Sequence, residues 1–247
     1  MNPNQRRVLF FTGAGISADS GLSTFRDNED GLWTKYNPDV VATMATFEEN
    51  KELVFQFYNE RRVLLQDVQP NKAHAEIGKL QQQYGEDSVQ IFTQNIDDLF
   101  EKAGCVDVQH VHGKFTEMKC LSNPNHVYDI GHSTVTTTER CPVCGGGVKP
   151  GVIFFGEDAP LYPLMYNTFK LSTENDLIVV IGTSGNVVNM AYVVGLKHLQ
   201  YGGKRILCNK DSNDWIDYEL FDDLLFGKAI DCIDEIVTAV NDWMSQK

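Results

Sequence analysis

Five short groups of residues have types and spacing suited to chemistry. Gly13-Ala14-Gly15-Ile16-Ser17 follows directly on the apolar run Val8-Leu9-Phe10-Phe11-Thr12. A glycine-rich strand-to-helix turn lets backbone N–H groups approach a pyrophosphate, and a helix N-terminus adds favourable partial charge. The pattern is not a full G-x-G-x-x-G, and no acid closes a second strand to hold a ribose, which argues against an ordinary dehydrogenase. Thr93-Gln94-Asn95-Ile96-Asp97 follows another apolar run. Its plainest reading is a helix start, with Asn95 as cap and Asp97 and Asp98 facing the dipole. His112 ends a short strand at 109–111 and precedes Gly113, so it projects from the strand end toward a cleft. An imidazole there could move a proton near neutral pH, although a lone histidine is more often a core or surface residue. Cys141-x-x-Cys144 is half of a tetrahedral zinc site, and Cys120 stands 21 residues earlier. A regular four-cysteine ribbon has its remaining ligand three residues after Cys120, but Asn123 stands there. His126 or His132 would complete the set, or the site is degenerate and metal-poor. Tyr58 and Arg61, at i and i+3, share one helix face; by spacing alone they are a partly buried ring and a solvated charge.

These residues need elements to hold them. Short apolar runs alternate with helical patterns, as in a parallel sheet covered on both faces. Strands are expected at 8–12, 89–93, 109–111, 177–181, 205–208 and near 229–230. Helices are expected at 48–66, 73–83, 96–103, 187–201 and 231–244. The fold class is thus α/β: a doubly wound, mostly parallel Rossmann-like sheet with a small inserted zinc-ribbon-like module. Residues 1–113 and 148–247 form the Rossmann-like domain, with a helical and loop excursion at about 25–70. The module spans 114–147, where composition shifts to cysteine, threonine and a Gly145-Gly146-Gly147 run. Gly182-Thr183-Ser184 and Asn209 each follow an expected strand and so gather at the carboxyl edge of the sheet, where α/β ligands bind.

With 34 acidic against 21 Lys and Arg residues, the 247-residue chain carries −13. That excludes a uniformly basic, phosphate-tracking nucleic-acid binder. Ten acids against three lysines fall between Lys210 and Lys247, read as a solvated acidic face. No apolar run approaches a membrane span, and the run after Arg6-Arg7 is too short for a signal-peptide core. Six cysteines without an export signal point to reduced thiols or metal ligation, hence to the cytoplasm. Cys105, Cys208 and Cys232 read as small buried apolar residues.

In order along the chain, the glycine loop, Ser20-Gly21-Leu22-Ser23-Thr24-Phe25-Arg26, Gly31-Leu32-Trp33, Thr93–Asp97, His112-Gly113, Cys141-x-x-Cys144, Phe155-Gly156-Glu157, Gly182-Thr183-Ser184 and Asn209 resemble the sirtuins. These are NAD-dependent protein lysine deacylases, and the resemblance covers nearly the whole chain. It implies that Gly13, Ala14, Gly15 and Ser17 cradle the NAD pyrophosphate, with Phe25 and Arg26 over the nicotinamide ribose. It places Gln94, Asn95, Ile96 and Asp97 at nicotinamide and its ribose, and Gly182, Thr183, Ser184, Asn209 and Ala229 around phosphate and adenosine. It makes His112 the base that accepts a ribose hydroxyl proton, with Asn95 and Asp97 beside it in the catalytic set. The implied products are free lysine, nicotinamide and O-acyl-ADP-ribose. Cys120, Cys141 and Cys144 would hold a structural zinc.

Tyr58-x-x-Arg61 resembles the acyl-pocket pair of bacterial class III sirtuins, in which a phenol and a guanidinium bind the carboxylate of succinyl or malonyl lysine. An arginine fork suits a carboxylate. The substrate backbone is expected as an added strand between Val152, Phe154, Phe155 and Gly156 and the loop after Ser184, where Asn189 replaces a frequent proline. Expected partners are acyl-lysine proteins, with no nucleic acid and no membrane, bound by a monomer. An NAD hydrolase or ADP-ribosyltransferase on the same fold, or a non-enzymatic NAD sensor, are the rival readings.

Overall fold

Buried aliphatic runs set the frame of this computed structural model, which describes residues 5–22, 36–196 and 199–246. The strands are β1 (Arg7–Thr12), β2 (Val89–Thr93), β3 (Gln109–His110), β4 (Gly113–Cys120), β5 (Val127–Asp129), β6 (Val148–Val152), β7 (Asp176–Ile181), β8 (Gly195–Leu196), β9 (Leu199–Gln200), β10 (Lys204–Asn209) and β11 (Asp223–Phe226). The α-helices are α1 (Pro38–Val41), α2 (Lys51–Asp67), α3 (Lys72–Tyr84), α4 (Leu99–Lys102), α5 (Tyr162–Lys170), α6 (Ala191–Val194) and α7 (Ala229–Ser245).

Six strands pair in the order β11-β10-β7-β1-β2-β3, every pair parallel. Alternate residues of β1 enter opposite cores. Val8 and Phe10 pack with Ala73, Ile77 and Leu80 of α3 and Ile233, Ile236 and Val240 of α7. Leu9 and Phe11 pack with Met165 and Phe169 of α5 and Val193 and Val194 of α6. Full burial of a ring such as Phe10 stabilises by roughly 1.5–3 kcal/mol. After β1 the chain adds β2 and β3 on one side, and later β7, β10 and β11 on the other. The strand order therefore reverses between β1 and β7, and the crevice at their carboxyl ends is the place where such sheets bind ligands.

A second sheet, β5-β4-β6, is antiparallel. It shares a third core with α2, in which Phe57, Tyr58, Phe115, Met118, Val152 and Phe154 meet. Gly113 joins the two sheets at φ +78°, where a Cβ would collide with the carbonyl of Gly151. A substitution there is strained on both counts.

Four expectations change. The sixth strand is β11, not a segment near 229–230, and Ala229 opens α7 instead. Its alternating half-buried and exposed pattern marks an edge strand, which presents no continuous apolar run. The helix expected at 187–201 shrinks to α6, because Gly195 turns at φ +81° into the β8–β9 hairpin. The one expected at 96–103 is the four-residue α4. The turn after β1 is a pair of 3-10 turns, Ala14–Ile16 and Ala18–Ser20, so no α-helix N-terminus stands at the glycine loop. On the acidic face, Asp222 forms a fork with Arg205, Asp223 pairs with Lys204 and Asp234 with Lys72, so part of that charge is internally paired. No described helix is long and apolar enough to cross a membrane.

Candidate active site and metal centre

The glycines after β1 and β7 are required first by each other. Gly13 N–H donates to Ile181 O and Gly15 N–H to Gly182 O, both at 2.9 Å. A Cβ on Gly13 would lie 2.7 Å from Gly182 O, and one on Gly182, at φ +64°, 2.6 Å from Ile16 N. The two loops thus interlock backbone to backbone at the reversal point. Thr183 and Asn209 join them: Asn209 Nδ2 donates to Thr183 O and Gln94 Nε2 to Thr183 Oγ1, each at 2.8 Å. Ser184 follows in the same loop, and Ala229 is buried at the start of α7. Lys228, just before it, pairs with Asp19 beside the glycine loop at 2.8 Å. Phe25 and Arg26 lie outside the described residues.

Asn95 and Asp97 converge on Ser17. Asn95 Nδ2 donates to Ser17 Oγ at 2.9 Å, and Ser17 Oγ–H donates to Asp97 Oδ2 at 3.0 Å. All three are buried. Asp97 Oδ1 accepts Leu99 N–H, so it is Asp97 and not Asn95 that caps α4. Burial raises the Asp97 carboxyl above the usual range, against the Leu99 N–H and Ser17 hydroxyl bonds. Ile96 lies between them and its carbonyl accepts Phe115 N–H.

His112 lies where the main sheet hands over to the second one. Its Nδ1 is 3.0 Å from Gln94 O and its Nε2 2.8 Å from the Tyr162 hydroxyl. A carbonyl only accepts, so Nδ1 carries the proton and Nε2 the lone pair; the tautomer is assigned from these partners. Burial lowers the imidazole below its ordinary value, against the Gln94 carbonyl bond, which keeps Nε2 available as a base. Gln94 therefore acts twice, through its side chain on Thr183 and its carbonyl on His112. His110, two residues earlier, faces Asn95 O at 2.7 Å and Glu101 at 2.9 Å, away from the cleft.

The segment after β6 stands beside this histidine. Ile153 N–H donates to His112 O, and Lys149, buried, pairs with Glu157 at 2.8 Å. Glu157 also accepts Phe154 N–H, fixing the turn. Phe155 N–H and C=O are taken by Ala42 and Met44. The free edge is thus narrower than expected, and Gly156 alone of 154–156 has no backbone hydrogen bond among the described residues. Across the cleft, Asn189 Oδ1 accepts Ala191 N–H at 2.8 Å and starts α6, which explains how an asparagine serves there.

Tyr58 is buried in α2, stacked on Phe154 at 5.8 Å and 24° and tilted against Phe115. Arg61 lies half-buried one turn on, its guanidinium 5.6 Å from the Phe115 ring centre. Burial pushes the Tyr58 phenol up, opposed by Arg61 and Arg62. The pair therefore reaches the segment 152–156 through Phe154, and neither residue is a plain surface group.

In the second sheet, the ligand atoms of Cys120, His126, Cys141 and Cys144 lie within 4.8 Å of one another. Three thiols and an imidazole form a closed donor set that fits tetrahedral, structural zinc. His126 is the fourth member. His132 turns instead to Asp98, 3.0 Å away. Asn123, at the position where a fourth cysteine was missed, reaches His126 Nε2 at 3.1 Å and leaves Nδ1 toward Cys141. It orients a ligand in place of being one. Protein purified without chelator should carry about one zinc per chain. His126→Ala should lose most of it and His132→Ala should keep it; metal analysis showing the reverse would exclude this ligand set.

Sequence reasoning missed Tyr162, His74 and Asn71. Tyr162 opens a helix that showed no periodic signal in its loop-like surroundings. His74, driven down to about 4 by burial, sits 3.4 Å from Ser17 Oγ. Asn71 caps α3 and donates to Ile16 O.

A model of the Sir2 family matches residues 13–189. The NAD-dependent protein deacylase SIR2rp3 of Leishmania major is 41% identical over 231 residues, covering 91% of each chain. An NAD-dependent protein deacylase of Campylobacter jejuni (strain RM1221) is 36% identical over 242 residues, covering 97% of each. A solved Sir2 homologue–NAD complex superposes with a TM-score of 0.80 at 32% identity, covering 98% of this chain and 92% of that one.

Proposed function

The chain belongs to the Sir2 family of NAD-dependent protein deacylases, and we propose that it removes acidic acyl groups, succinyl and malonyl, as well as acetyl, from lysine. The observation that carries the acyl choice is Tyr58 stacked on Phe154, with Arg61 one helical turn away beside Phe115. This puts a phenol and a cation in an aromatic cage against the segment that would hold the acyl-lysine. In a chain of net charge −13 an anionic acyl group needs such a local cation. The guanidinium would take the distal carboxylate as a two-bond fork, and the phenol would add a neutral hydrogen bond.

NAD, when bound, supplies the electrophilic ribose carbon, the ribose hydroxyls that take the acyl group, and nicotinamide as leaving group. The interlocked 13–17 and 182–184 loops with Asn209 would bind its phosphates and adenosine ribose. Ser17, Asn95 and Asp97 would orient the nicotinamide end from one hydrogen-bonded cluster. His112 Nε2, bare and aimed into the cleft, would accept a ribose hydroxyl proton. Gly156 would pair with the extended peptide backbone, a contact indifferent to side-chain identity.

Matched acetyl-, succinyl- and malonyl-lysine peptides test the acyl choice. Succinyl-lysine should be processed at least as efficiently as acetyl-lysine by kcat/KM. Turnover of acetyl-lysine alone would leave the fold's chemistry intact and overturn the acidic-acyl reading.

A further inference from the structure

The base of this site is already engaged. His112 Nε2 accepts the Tyr162 hydroxyl at 2.8 Å, while Nδ1–H is spent on Gln94 O. A neutral imidazole has one lone pair, so a ribose hydroxyl and Tyr162 compete for the same nitrogen. We propose that Tyr162 is a positioning residue that masks the His112 base until a ribose hydroxyl takes its place. This rests on the reading that the cleft holds the ribose of NAD.

The mask is built from an element the nucleotide loops do not use. Tyr162 begins α5, and its ring packs on Tyr166 one turn later at 5.4 Å and 63°. Tyr166 packs in turn on Tyr192 at 5.3 Å, so the phenol is held by an aromatic row running along that side of the cleft. The ring of Tyr162 lies tilted, 5.8 Å from that of His112. Burial and Tyr166 push the Tyr162 phenol up to about 12, so near neutral pH it is a donor and not a phenolate. The titratable groups around the pair are few. Tyr162 and Tyr166 face it from α5. His110 is turned to Asn95 and Glu101, and Asp97 is held by Ser17 and Leu99.

Two consequences follow from the bond itself. A donor on Nε2 stabilises the neutral ring, so removing it favours the imidazolium and moves the His112 titration to higher pH. A ligand that needs Nε2 must first displace one neutral hydrogen bond, so removing Tyr162's hydroxyl should favour that ligand by roughly two- to tenfold. Tyr162→Phe keeps the ring and its stacking and deletes only the donor.

The test uses the full chain with histidine labelled for NMR, plus ADP-ribose as the probe. In Tyr162→Phe the imidazole signals of His112 should titrate at higher pH than in wild type. The Kd for ADP-ribose should fall roughly two- to tenfold. A folded variant in which the His112 titration stays put, or in which ADP-ribose binds equally or less well, overturns the mask. Wild type that fails to bind ADP-ribose would instead sink the ribose reading of the cleft. The titration, made without ligand, would still decide whether Tyr162 governs the base.

Discussion

His112→Ala should fold, bind NAD and lose acyl-lysine turnover by about 10²- to 10⁴-fold, the range for removing a positioned general base. The ring makes two hydrogen bonds, to Gln94 O and the Tyr162 hydroxyl, and both partners remain able to reach water in the cleft. The stability cost should therefore be about 1–2 kcal/mol, well short of unfolding. NAD contacts come from other residues, so binding should survive. In wild type the pH profile should agree. The base works only while Nε2 is bare, and burial holds the imidazole below its ordinary value. Activity should thus persist below the ordinary histidine range and fall at lower pH as His112 takes up a proton. Near-wild-type turnover by His112→Ala in a peptide assay would remove it from the mechanism.

Arg61→Met should lower kcat/KM for succinyl-lysine by roughly ten- to hundredfold and leave acetyl-lysine little changed. The lost contact is a charge-assisted fork in a half-buried pocket, about 1.5–3 kcal/mol. Methionine retains length and the apolar contact with Phe115 and Phe57, so the helix and its core should stand. Arginine remains charged at every working pH, so its effect is one of charge and geometry. Tyr58→Phe should show the same pattern more weakly, since it deletes one neutral hydrogen bond and keeps the ring stacked on Phe154. The readout is the succinyl-to-acetyl ratio of kcat/KM in each variant. An unchanged ratio in Arg61→Met would mean that the guanidinium only packs on the aromatic rings.

The parts of the molecule legible in its sequence are those in which one physical signal dominates. β1, β2, β7 and β10 are continuous buried runs, and their positions follow from composition within a residue or two. α2, α3 and α7 are long enough for their periodicity to show. β11 was not legible because half its residues face solvent, and α6 because Gly195 overrides an apolar stretch that reads as helix. The glycine loop was legible as a ligand loop by pattern. Its glycines nonetheless owe their identity to the close approach of residues 13–16 and 182, a contact between distant segments that no local signal reports. The same limit applies to the zinc set. Spacing places Cys120, Cys141 and Cys144 together, but choosing His126 over His132 needs the fold, which delivers His132 to Asp98. Tyr162 is the extreme case, since its importance rests wholly on a contact made 50 residues away.

The central claim is that acyl transfer to NAD's ribose happens in this cleft. It is tested most directly by mass spectrometry of the NAD-derived products formed with a succinyl-lysine peptide. The account predicts nicotinamide and O-succinyl-ADP-ribose in step with the unmodified lysine peptide. Nicotinamide and free ADP-ribose, with the peptide still fully succinylated, would contradict it and make the protein an NAD hydrolase.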